Sequence, residues 1–210
     1  MLLDVIFPPK CCFCGNINKE FLCKKCELKL NYLKKDKIYK ATNEPFRFHL
    51  YAFEYKHEIR CKMLSLKFSD KPEIASTFAK LLLNNKKICG FLKNYDIIIP
   101  VPMYSKKLIL RGYNQASEIA KIVSNNLQIE YFEDVLFKSI ETKMQSSLTA
   151  KDRKINVKNA YECRNMQKIE GKKIILFDDI YTTGSTAREC CKTLKKAKID
   201  EVSVLTFAKD

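Results

Sequence analysis

Two adjacent carboxylates lead into a run of hydroxyl groups in the stretch IILFDDIYTTGST, residues 174–186. Asp178 and Asp179 follow the apolar run KKIILF, which is typical of a strand buried on both faces. Behind them, the residues from Thr182 to Thr186 surround Gly184 and precede apolar positions with helical spacing. Backbone N–H groups at a helix N-terminus, together with such hydroxyls, form a cradle for phosphate. No lysine follows the glycine, which excludes the nucleotide P-loop.

The acid pair needs a ligand group other than phosphate. Vicinal ribose hydroxyls are good donors to a carboxylate, so a sugar whose 5′-phosphate lies in the cradle satisfies both halves of the motif. The alternative is that the acids only end a strand and the threonines only turn the chain. The predicted contacts to the sugar phosphate are Asp178, Asp179, Tyr181, Thr182, Thr183, Gly184, Ser185 and Thr186.

A cluster of cysteines near the N-terminus has the spacing of a metal site. The stretch CCFCGNINKEFLCKKC holds two CxxC pairs separated by eight residues, namely Cys11, Cys14, Cys23 and Cys26. Two such turns complete a tetrahedron of thiolates around one ion, which predicts a structural Zn²⁺ site. Gly15 suits the positive-φ position of such a turn. Cys12 competes with Cys11 for the assignment, and a redox pair or a plain core is the alternative interpretation.

The remaining apolar patterns predict the elements that position these groups. Strands are expected at 50–55, 96–102, 135–137, 172–177 and 202–207. Helices are expected at 57–68, 116–127 and 187–194. A further helix is expected from Pro72, with Ile74, Phe78, Leu81 and Leu82 on one face. This alternation predicts an α/β fold with a parallel sheet. Residues 33–45 are polar and lysine-rich, which indicates a linker. The aperiodic stretch 139–158 is too long for a simple connection, which indicates a functional mobile loop.

Composition excludes some classes of protein and leaves one question open. The 210 residues are 46% hydrophobic and 30% charged, which is typical of a globular chain, and no apolar run is long enough for a transmembrane helix. The start of the chain lacks the regions of a signal peptide, so a cytoplasmic protein without membrane insertion is expected. The net charge of +15 favours a nucleic-acid partner. The alternative is an AT-rich genome, since lysine outnumbers arginine 33 to 6.

The motifs together resemble a known family. FDDIYTTGST resembles the phosphoribosyl pyrophosphate (PRPP) motif of type I phosphoribosyltransferases. With PVPMYSKKLILRGYNQASEIA, QSSLTAKDRKINVKNAY and the four-cysteine knuckle, the chain resembles the ComF/ComFC competence protein family along nearly its whole length. The resemblance implies a type I phosphoribosyltransferase fold, with a parallel sheet flanked by helices and a hood, behind a small zinc finger. The expected division is a zinc-finger module at 1–32, a linker and hood region at 33–93, and the phosphoribosyltransferase core at 94–210.

The resemblance also implies roles for single residues. The paired acids would bind the ribose hydroxyls, and Thr182 to Thr186 the 5′-phosphate. The segment from Pro102 to Lys106 would hold the pyrophosphate through Tyr104, Ser105 and Lys106, with Arg111 nearby. Gly112, Asn114 and Gln115 match the family and are expected to shape this loop and start a helix. In the loop at 139–158, where Gln145, Leu148 and Asn156 also match, the candidate catalytic residues are Lys143, Lys151 and Arg153, and the alternative for the two lysines is a solvated basic loop. Lys67 and Phe68 match without a role.

Two functions of different classes follow from the resemblance. One is a ComFC-like protein that binds PRPP or a related phosphoribosyl group with Mg²⁺ and handles incoming single-stranded DNA during natural transformation, next to a competence helicase or other DNA-uptake proteins. The other is a small-molecule phosphoribosyltransferase of nucleotide salvage or synthesis. A protein that binds PRPP without turning it over is a third possibility. The acceptor is not indicated by any motif.

Overall fold

The computed structural model describes residues 8–68, 73–140 and 159–210, and for Phe68 and Glu73 the backbone alone. Eight strands are present in these ranges: β1 (Lys34–Lys40), β2 (Phe48–Glu54), β3 (Ile97–Pro100), β4 (Glu130–Tyr131), β5 (Leu136–Lys138), β6 (Tyr161–Cys163), β7 (Lys173–Tyr181) and β8 (Glu201–Lys209). Six of them form one sheet in the order β1-β2-β8-β7-β3-β4, and β5 and β6 form a separate pair. Only β1 runs antiparallel to its neighbour in the large sheet.

Seven α-helices connect these strands in the described ranges: α1 (Lys24–Leu33), α2 (His57–Phe68), α3 (Glu73–Leu83), α4 (Lys86–Leu92), α5 (Ser105–Arg111), α6 (Gln115–Leu127) and α7 (Ser185–Leu194). Short 3₁₀ turns occupy Met166–Lys168 and Lys195–Ala197. The helices predicted near 57, 72, 116 and 187 are confirmed, although Pro72 itself lies outside the described residues. None of the described helices is long and apolar enough to cross a membrane.

The central strands are buried on both faces because helices cover the sheet on either side. Ile98 and Leu205 face a cluster that holds Phe78 of α3 and Ile119 of α6. Ile97, Ile99, Leu176 and Val204 face the opposite cluster, to which α7 contributes Cys190, Cys191 and Leu194. A strand covered on both faces needs apolar residues at every position, which explains the continuous runs at β3 and β7. The predicted α/β architecture with a parallel sheet is therefore confirmed.

Residues 33–93 are more closely built into the sheet than the sequence indicates. The linker predicted at 33–45 is wrong over Lys34–Lys40, because these residues form β1 and pair with β2. Ile38 packs against the core, which gives this lysine-rich segment an apolar anchor. Strand β2 then joins β8 in parallel, so the region predicted to be linker and hood supplies two strands of the sheet. The division at 93 and 94 stays a prediction.

The strand at the acid pair is longer than the sequence indicates. The apolar run predicts a strand that ends before Asp178, whereas β7 continues to Tyr181. The reason is the neighbouring strand, because β8 runs beside β7 as far as Lys209, which pairs with Tyr181. Hydrogen bonds to β8 hold the two acids in an extended conformation. They therefore project from the last residues of β7, and the hydroxyl turn begins after this strand.

Candidate functional site

A cavity of about 570 Å³ opens at the carboxyl ends of the parallel strands β3, β7 and β8. Val101 and Pro102 follow β3 there, Asp178 to Tyr181 end β7, and Asp210 follows β8. Ligands bind at this edge in open parallel sheets, since the turns beyond the strands present their polar groups together. The volume is in the range of small-molecule sites. The cavity therefore brings the predicted motif into a concave site.

The two acids of the motif have different surroundings. Asp179 is buried, and its Oδ2 lies 2.7 Å from Lys67 Nζ and 3.0 Å from Gln115 Nε2, which donates to it. Asp178 is half-buried, and its Oδ1 accepts the backbone N–H of Asp179 at 2.9 Å. Both acids line the cavity. Asp179 thus has a charged partner within the protein, and Asp178 is the more accessible acid.

Their protonation differs for the same reason. Burial by itself raises the pKa of Asp179, but the charge of Lys67 and the hydrogen bonds from Lys67 and Gln115 lower it overall. Burial, and then the neighbouring charge of Asp179, raise the pKa of Asp178 well above its usual value. Burial would lower the pKa of Lys67, but Asp179 raises it. The pair therefore carries its negative charge mainly on Asp179, opposite a fixed ammonium.

Hydrogen bonds extend this network to the segment predicted to hold the pyrophosphate. Arg111 Nη1 donates to Gln115 Oε1 at 2.7 Å, so a chain of contacts runs from the end of α5 to Asp179. Asn114 starts α6 by accepting from the N–H of Ala116, and it also donates to the carbonyl of Val101. The expected role of Asn114 in starting a helix agrees with this geometry. Gln115 does more than expected, since it contacts the acid pair directly.

The hydroxyl run forms the turn between β7 and the helix α7. Gly184 precedes α7 with a φ of 74°, a left-handed conformation that favours glycine. Thr183 Oγ1 lies 2.9 Å from Ser185 Oγ across this turn. The first N–H groups of any α-helix have no carbonyl partner within the helix, and the first turn of α7, Ser185 to Ala187, lines the cavity. Of the predicted phosphate contacts, Thr182, Gly184, Ser185 and Thr186 line the cavity and Thr183 does not.

The turn is held from outside by an ion pair that the sequence does not reveal. Arg188 of α7 donates from Nε and Nη2 to the carboxylate of Glu44, at 2.7 Å and 2.8 Å. The same guanidinium donates from Nη1 to the carbonyl of Thr183 at 2.7 Å. Glu44 lies between β1 and β2, so the edge of the sheet fixes the predicted phosphate turn. A paired, two-pronged contact of this kind sets orientation as well as distance.

The segment predicted for the pyrophosphate is partly helical. Tyr104 lines the cavity, while Ser105 and Lys106 are exposed in the first turn of α5 and do not line it. Arg111 at the end of this helix does line the cavity. Helix α5 also brings Lys107 to the cavity, a residue directly after the predicted segment that the sequence does not single out. The predicted contacts at Tyr104 and Arg111 therefore meet the acid pair in one cavity, and those at Ser105 and Lys106 do not.

A further lysine reaches the cavity from the β5–β6 pair. Lys138 ends β5, lines the cavity, and its Nζ lies 5.5 Å from the ring centre of Tyr161 on β6. Burial, and then the charge of Lys107, lower the pKa of Lys138. Two positive side chains near each other favour an anionic ligand between them. The candidate catalytic residues Lys143, Lys151 and Arg153 lie outside the described residues, as does nearly all of the predicted loop at 139–158.

The four predicted metal ligands form a separate site near the N-terminus. The Sγ atoms of Cys11, Cys14, Cys23 and Cys26 all lie within 4.8 Å of one another. Cys14 and Cys23 are 3.8 Å apart, which is the edge expected of a tetrahedron with Zn–S bonds of about 2.3 Å. Cys12 is excluded from this cluster and packs against the main core. The choice of Cys11 over Cys12 therefore agrees with the structure.

Backbone geometry suits this site to a metal. Gly15 has a φ of 77°, as expected for the turn after Cys14, and its N–H donates to the carbonyl of Cys11 at 2.9 Å. The N–H of Cys23 lies 3.4 Å from Cys11 Sγ. Burial raises the pKa of Cys11, but backbone N–H groups outweigh it and lower the pKa to about 6. Burial and the neighbouring thiols raise the pKa of Cys26. Support for a structural Zn²⁺ therefore comes from the four clustered thiols, which are the ligand set of such sites.

Comparison with protein families and curated proteins gives relatives for the chain. Residues 2–42 match the double zinc ribbon domain, which agrees with the four-cysteine site. The chain is 35% identical over 147 residues to Competence protein F of Haemophilus influenzae, a match that covers 68% of this chain and 64% of that protein. It is 33% identical over 133 residues to the DNA utilization protein YhgH of Escherichia coli strain K12, covering 61% and 57% of the two chains.

A third relative is Competence protein ComFC of Bacillus subtilis strain 168, 28% identical over 141 residues, with 65% of this chain and 50% of that protein covered. The expected resemblance to the ComF/ComFC family is therefore confirmed. The matched part spans only about half to two thirds of the length of these relatives.

The solved structures similar to this chain include two phosphoribosyltransferases. Adenine phosphoribosyltransferase from Thermoanaerobacter pseudethanolicus has a TM-score of 0.42 and 9% identity, and the match covers 88% of this chain and 99% of that chain. Hypoxanthine phosphoribosyltransferase from Staphylococcus aureus has a TM-score of 0.37 and 12% identity, with 68% and 64% covered. These similarities are too distant to carry an argument about this chain.

Several residues at the site were missed from the sequence. Lys67 carried a signal, because it matches the family pattern, but nothing in its neighbourhood indicates a partner. Lys107 directly follows the predicted segment, which ends at Lys106, and no motif distinguishes these two lysines. Lys138 and Tyr161 carry no local signal, since only the pairing of β5 with β6 brings them to the cavity.

Proposed function

We propose that the chain is a ComFC-like protein that binds PRPP or a related phosphoribosyl group with Mg²⁺ and handles incoming single-stranded DNA in the cytoplasm during natural transformation. The observation that carries the proposal is that Asp178 and Asp179 line one cavity together with Thr182 and the residues from Gly184 to Thr186. Carboxylates and phosphate repel each other, so a ligand that satisfies both must present hydroxyls to one and phosphate to the other. Ribose 5-phosphate has this arrangement.

The described residues suggest how such a ligand is held. The 5′-phosphate would lie against the first turn of α7, where Ser185 and Thr186 offer hydroxyls and the helix N-terminus offers N–H groups. The ribose hydroxyls would donate to the acid pair. Lys107, Arg111 and Lys138 line the part of the cavity where positive charge favours a pyrophosphate. These cations would stabilise the negative charge that develops when the bond from C1′ to the pyrophosphate lengthens.

Mg²⁺ fits this site only together with the ligand. Among the residues that the structure describes, the four cysteines are the one group of three or more His, Cys, Asp or Glu side chains that could hold a metal ion. Mg²⁺ prefers six oxygen ligands and commonly takes several from phosphates and water. Bound to the pyrophosphate, it would supply charge neutralisation of the leaving group. The residues proposed to close over that group are Lys143, Lys151 and Arg153.

The part of the proposal that concerns DNA is supported by charge and by the names of the relatives. The chain carries a net charge of +15, and its relatives include proteins named for competence and for DNA utilization. Lysines that neutralise phosphates release counterions, and aromatic side chains stack with unpaired bases. A competence helicase or other DNA-uptake proteins would be partners in this setting.

Ligand binding is tested by titrating the protein with PRPP and Mg²⁺ in a calorimeter. We expect measurable binding to the wild-type protein and no binding to the double variant Asp178→Asn with Asp179→Asn. Circular dichroism would show that the variant keeps its fold, since amides replace carboxylates of the same shape. Equal affinity of the two proteins would contradict the assignment of the site.

DNA handling needs its own measurement. We expect a single-stranded oligonucleotide to bind with an affinity that falls steeply as salt is raised, since counterion release drives the association. Binding that is absent, or independent of salt, would count against the DNA half of the proposal.

Pyrophosphate release in the presence of free nucleobases separates the proposal from the alternative function. Release with a free base and none with DNA would favour a small-molecule phosphoribosyltransferase of nucleotide salvage or synthesis.

A further inference from the structure

Lys67 approaches the acid pair from α2, outside the segments that carry the PRPP motif. Its Nζ lies 2.7 Å from Asp179 Oδ2, and its side chain is 20% exposed against 6% for that of Asp179. An ion pair this far from solvent is screened little by water or salt. Removing one member of a buried pair leaves the other charge without compensation, which is costly. The two side chains are therefore coupled more strongly than a surface ion pair.

The contacts of the acid pair divide its two members. Asp179 Oδ2 is shared by Lys67 and by Gln115, which in turn is held by Arg111. Two helices, α2 and α6, thus contact this one carboxylate, and Arg111 of α5 holds the Gln115 side chain that reaches it. Asp178 Oδ1 accepts the backbone N–H of Asp179 in its own strand, and Asp178 is the more exposed acid. A carboxylate engaged by protein donors has less capacity for ligand donors than its neighbour.

We propose that Lys67 is a positioning residue that holds Asp179 charged and in place, so that Asp178 is the acid that accepts hydrogen bonds from the ribose hydroxyls. The inference rests on the proposed function for its ligand and goes beyond it by giving the two acids different roles. It also gives a role to the helix α2, because the ammonium of Lys67, near the end of this helix, neutralises the charge of Asp179. Ligand binding is thereby coupled to the position of residues 57–68.

Other charged and titratable groups face the pair and define the background of any titration. From the elements packed around it these include Tyr55, Arg60, Lys107, Arg111, Lys138, Tyr161, Cys190 and Asp210, besides the two acids and Lys67 themselves. None of them is altered in the variants below. A change in titration on removing Lys67 is therefore assigned to the loss of its ammonium beside Asp179.

The experiment combines two backgrounds and a matched control. Lys67→Met is made in the wild-type protein and in Asp179→Asn, Lys67→Arg serves as the conservative variant, and Lys62→Met is the control on the same helix. The dissociation constant of PRPP with Mg²⁺ is measured for each by calorimetry. In the protein without ligand, the carboxyl carbons of the acid pair are titrated by ¹³C NMR. Thermal unfolding monitors the fold of each variant.

We expect Lys67→Met to weaken PRPP binding by about tenfold or more in the wild-type background and much less in Asp179→Asn, since the partner is already neutral there. Lys67→Arg should keep most of the affinity, and Lys62→Met all of it. Asp178→Asn, made in the wild-type protein and in Asp179→Asn, should weaken PRPP binding in both. The carboxyl titration of the pair should move up by about one pH unit or more in Lys67→Met, a change that loss of packing alone would not produce.

The inference would be overturned if Lys67→Met lowered PRPP affinity equally in the wild-type protein and in Asp179→Asn. An unchanged carboxyl titration in Lys67→Met would overturn it as well. If the wild-type protein fails to bind PRPP, the proposed function fails together with the ligand contact of Asp178. The titration still decides in that case whether Lys67 holds Asp179 charged, so the two failures are distinguishable.

Discussion

Gly184 shows how closely the residues of the predicted phosphate turn fit together. A Cβ atom at this position would lie 2.1 Å from the hydroxyl oxygen of Tyr181. The ring of Tyr181 is stacked on His49 with centroids 4.0 Å apart, so it cannot move away freely. Gly184 also has the positive φ that other residues adopt at a cost of about 1–2 kcal/mol. Both its conformation and its surroundings require glycine.

We therefore expect Gly184→Ala to destabilise the protein by at least about 1 kcal/mol and to weaken binding of ribose 5-phosphate. Urea unfolding and calorimetry measure the two effects. Gly90→Ala is the matched control, because Gly90 lies within α4 with no atom close to its added Cβ. That change should be neutral or stabilising by roughly 0.5–1 kcal/mol. Similar unfolding curves for the two variants would contradict the prediction.

A second residue-scale prediction concerns pH. Burial, and then the charge of Lys209, lower the pKa of His49 to about 4 from a reference value of 6.5. The folded state thus keeps His49 neutral where the unfolded chain already binds a proton. We expect the free energy of unfolding to fall as pH drops from about 6.5 to about 4, by up to roughly 3 kcal/mol from this residue.

The measurement is a series of urea unfolding curves across this pH range. His49→Gln should remove the slope that His49 causes, whereas the exposed His57 offers a control, His57→Gln, that should leave it unchanged. If both variants show the wild-type slope, His49 does not titrate as expected.

At the scale of elements, the turn before α7 is stabilised by a contact that spans the sheet. Arg188 and Glu44 are 144 positions apart in sequence, and their ion pair connects α7 with the segment between β1 and β2. The guanidinium also donates to the carbonyl of Thr183, so Arg188 connects the turn before α7 with Glu44. The edge strand β1, which looked like part of a linker, thereby becomes part of the support for the site.

We expect Arg188→Lys to weaken the binding of ribose 5-phosphate several-fold, because lysine cannot reproduce the two-pronged contact with a carboxylate. Calorimetry with ribose 5-phosphate is the direct measurement. Arg164→Lys is the control, since Arg164 forms an exposed pair with Glu162 that should contribute little. Unchanged binding in Arg188→Lys would show that the turn keeps its shape without this support.

For the whole molecule, the zinc site is joined to the main core. Cys26 lies on α1, and Leu30 and Leu33 of the same helix pack in the large cluster that also holds Phe78 and Phe207. Loss of the metal should therefore disturb more than the short segment around the cysteines. Zinc modules of this size commonly depend on the ion for folding.

We expect one Zn²⁺ per chain by elemental analysis, and a lower unfolding temperature after chelation. Cys26→Ser should lose the metal, whereas Cys12→Ser should keep it, because Cys12 stands apart from the four clustered sulfurs. Retention of zinc by Cys26→Ser, or its loss from Cys12→Ser, would contradict the assignment of the ligands.

Features of the protein that depend on neighbours along the chain could be predicted from its sequence. Periodic apolar residues predicted helices such as α6, continuous runs predicted buried strands such as β3, and the spacing of four cysteines predicted the metal site. The acid pair and hydroxyl turn are contiguous, so their order alone indicated a sugar phosphate. These patterns are local, and local geometry repeats with a fixed period.

The tertiary structure decided what these local features contact. Lys67 meets Asp179, Glu44 meets Arg188, and Lys138 reaches the cavity through the pairing of β5 with β6. Tertiary packing also extended β7 through the acid pair, because β8 continues beside β7 as far as Tyr181. Each of these depends on how helices and strands pack against one another, and no spacing along the chain records that. The different surroundings of Asp178 and Asp179 arise in the same way, from partners distant in sequence.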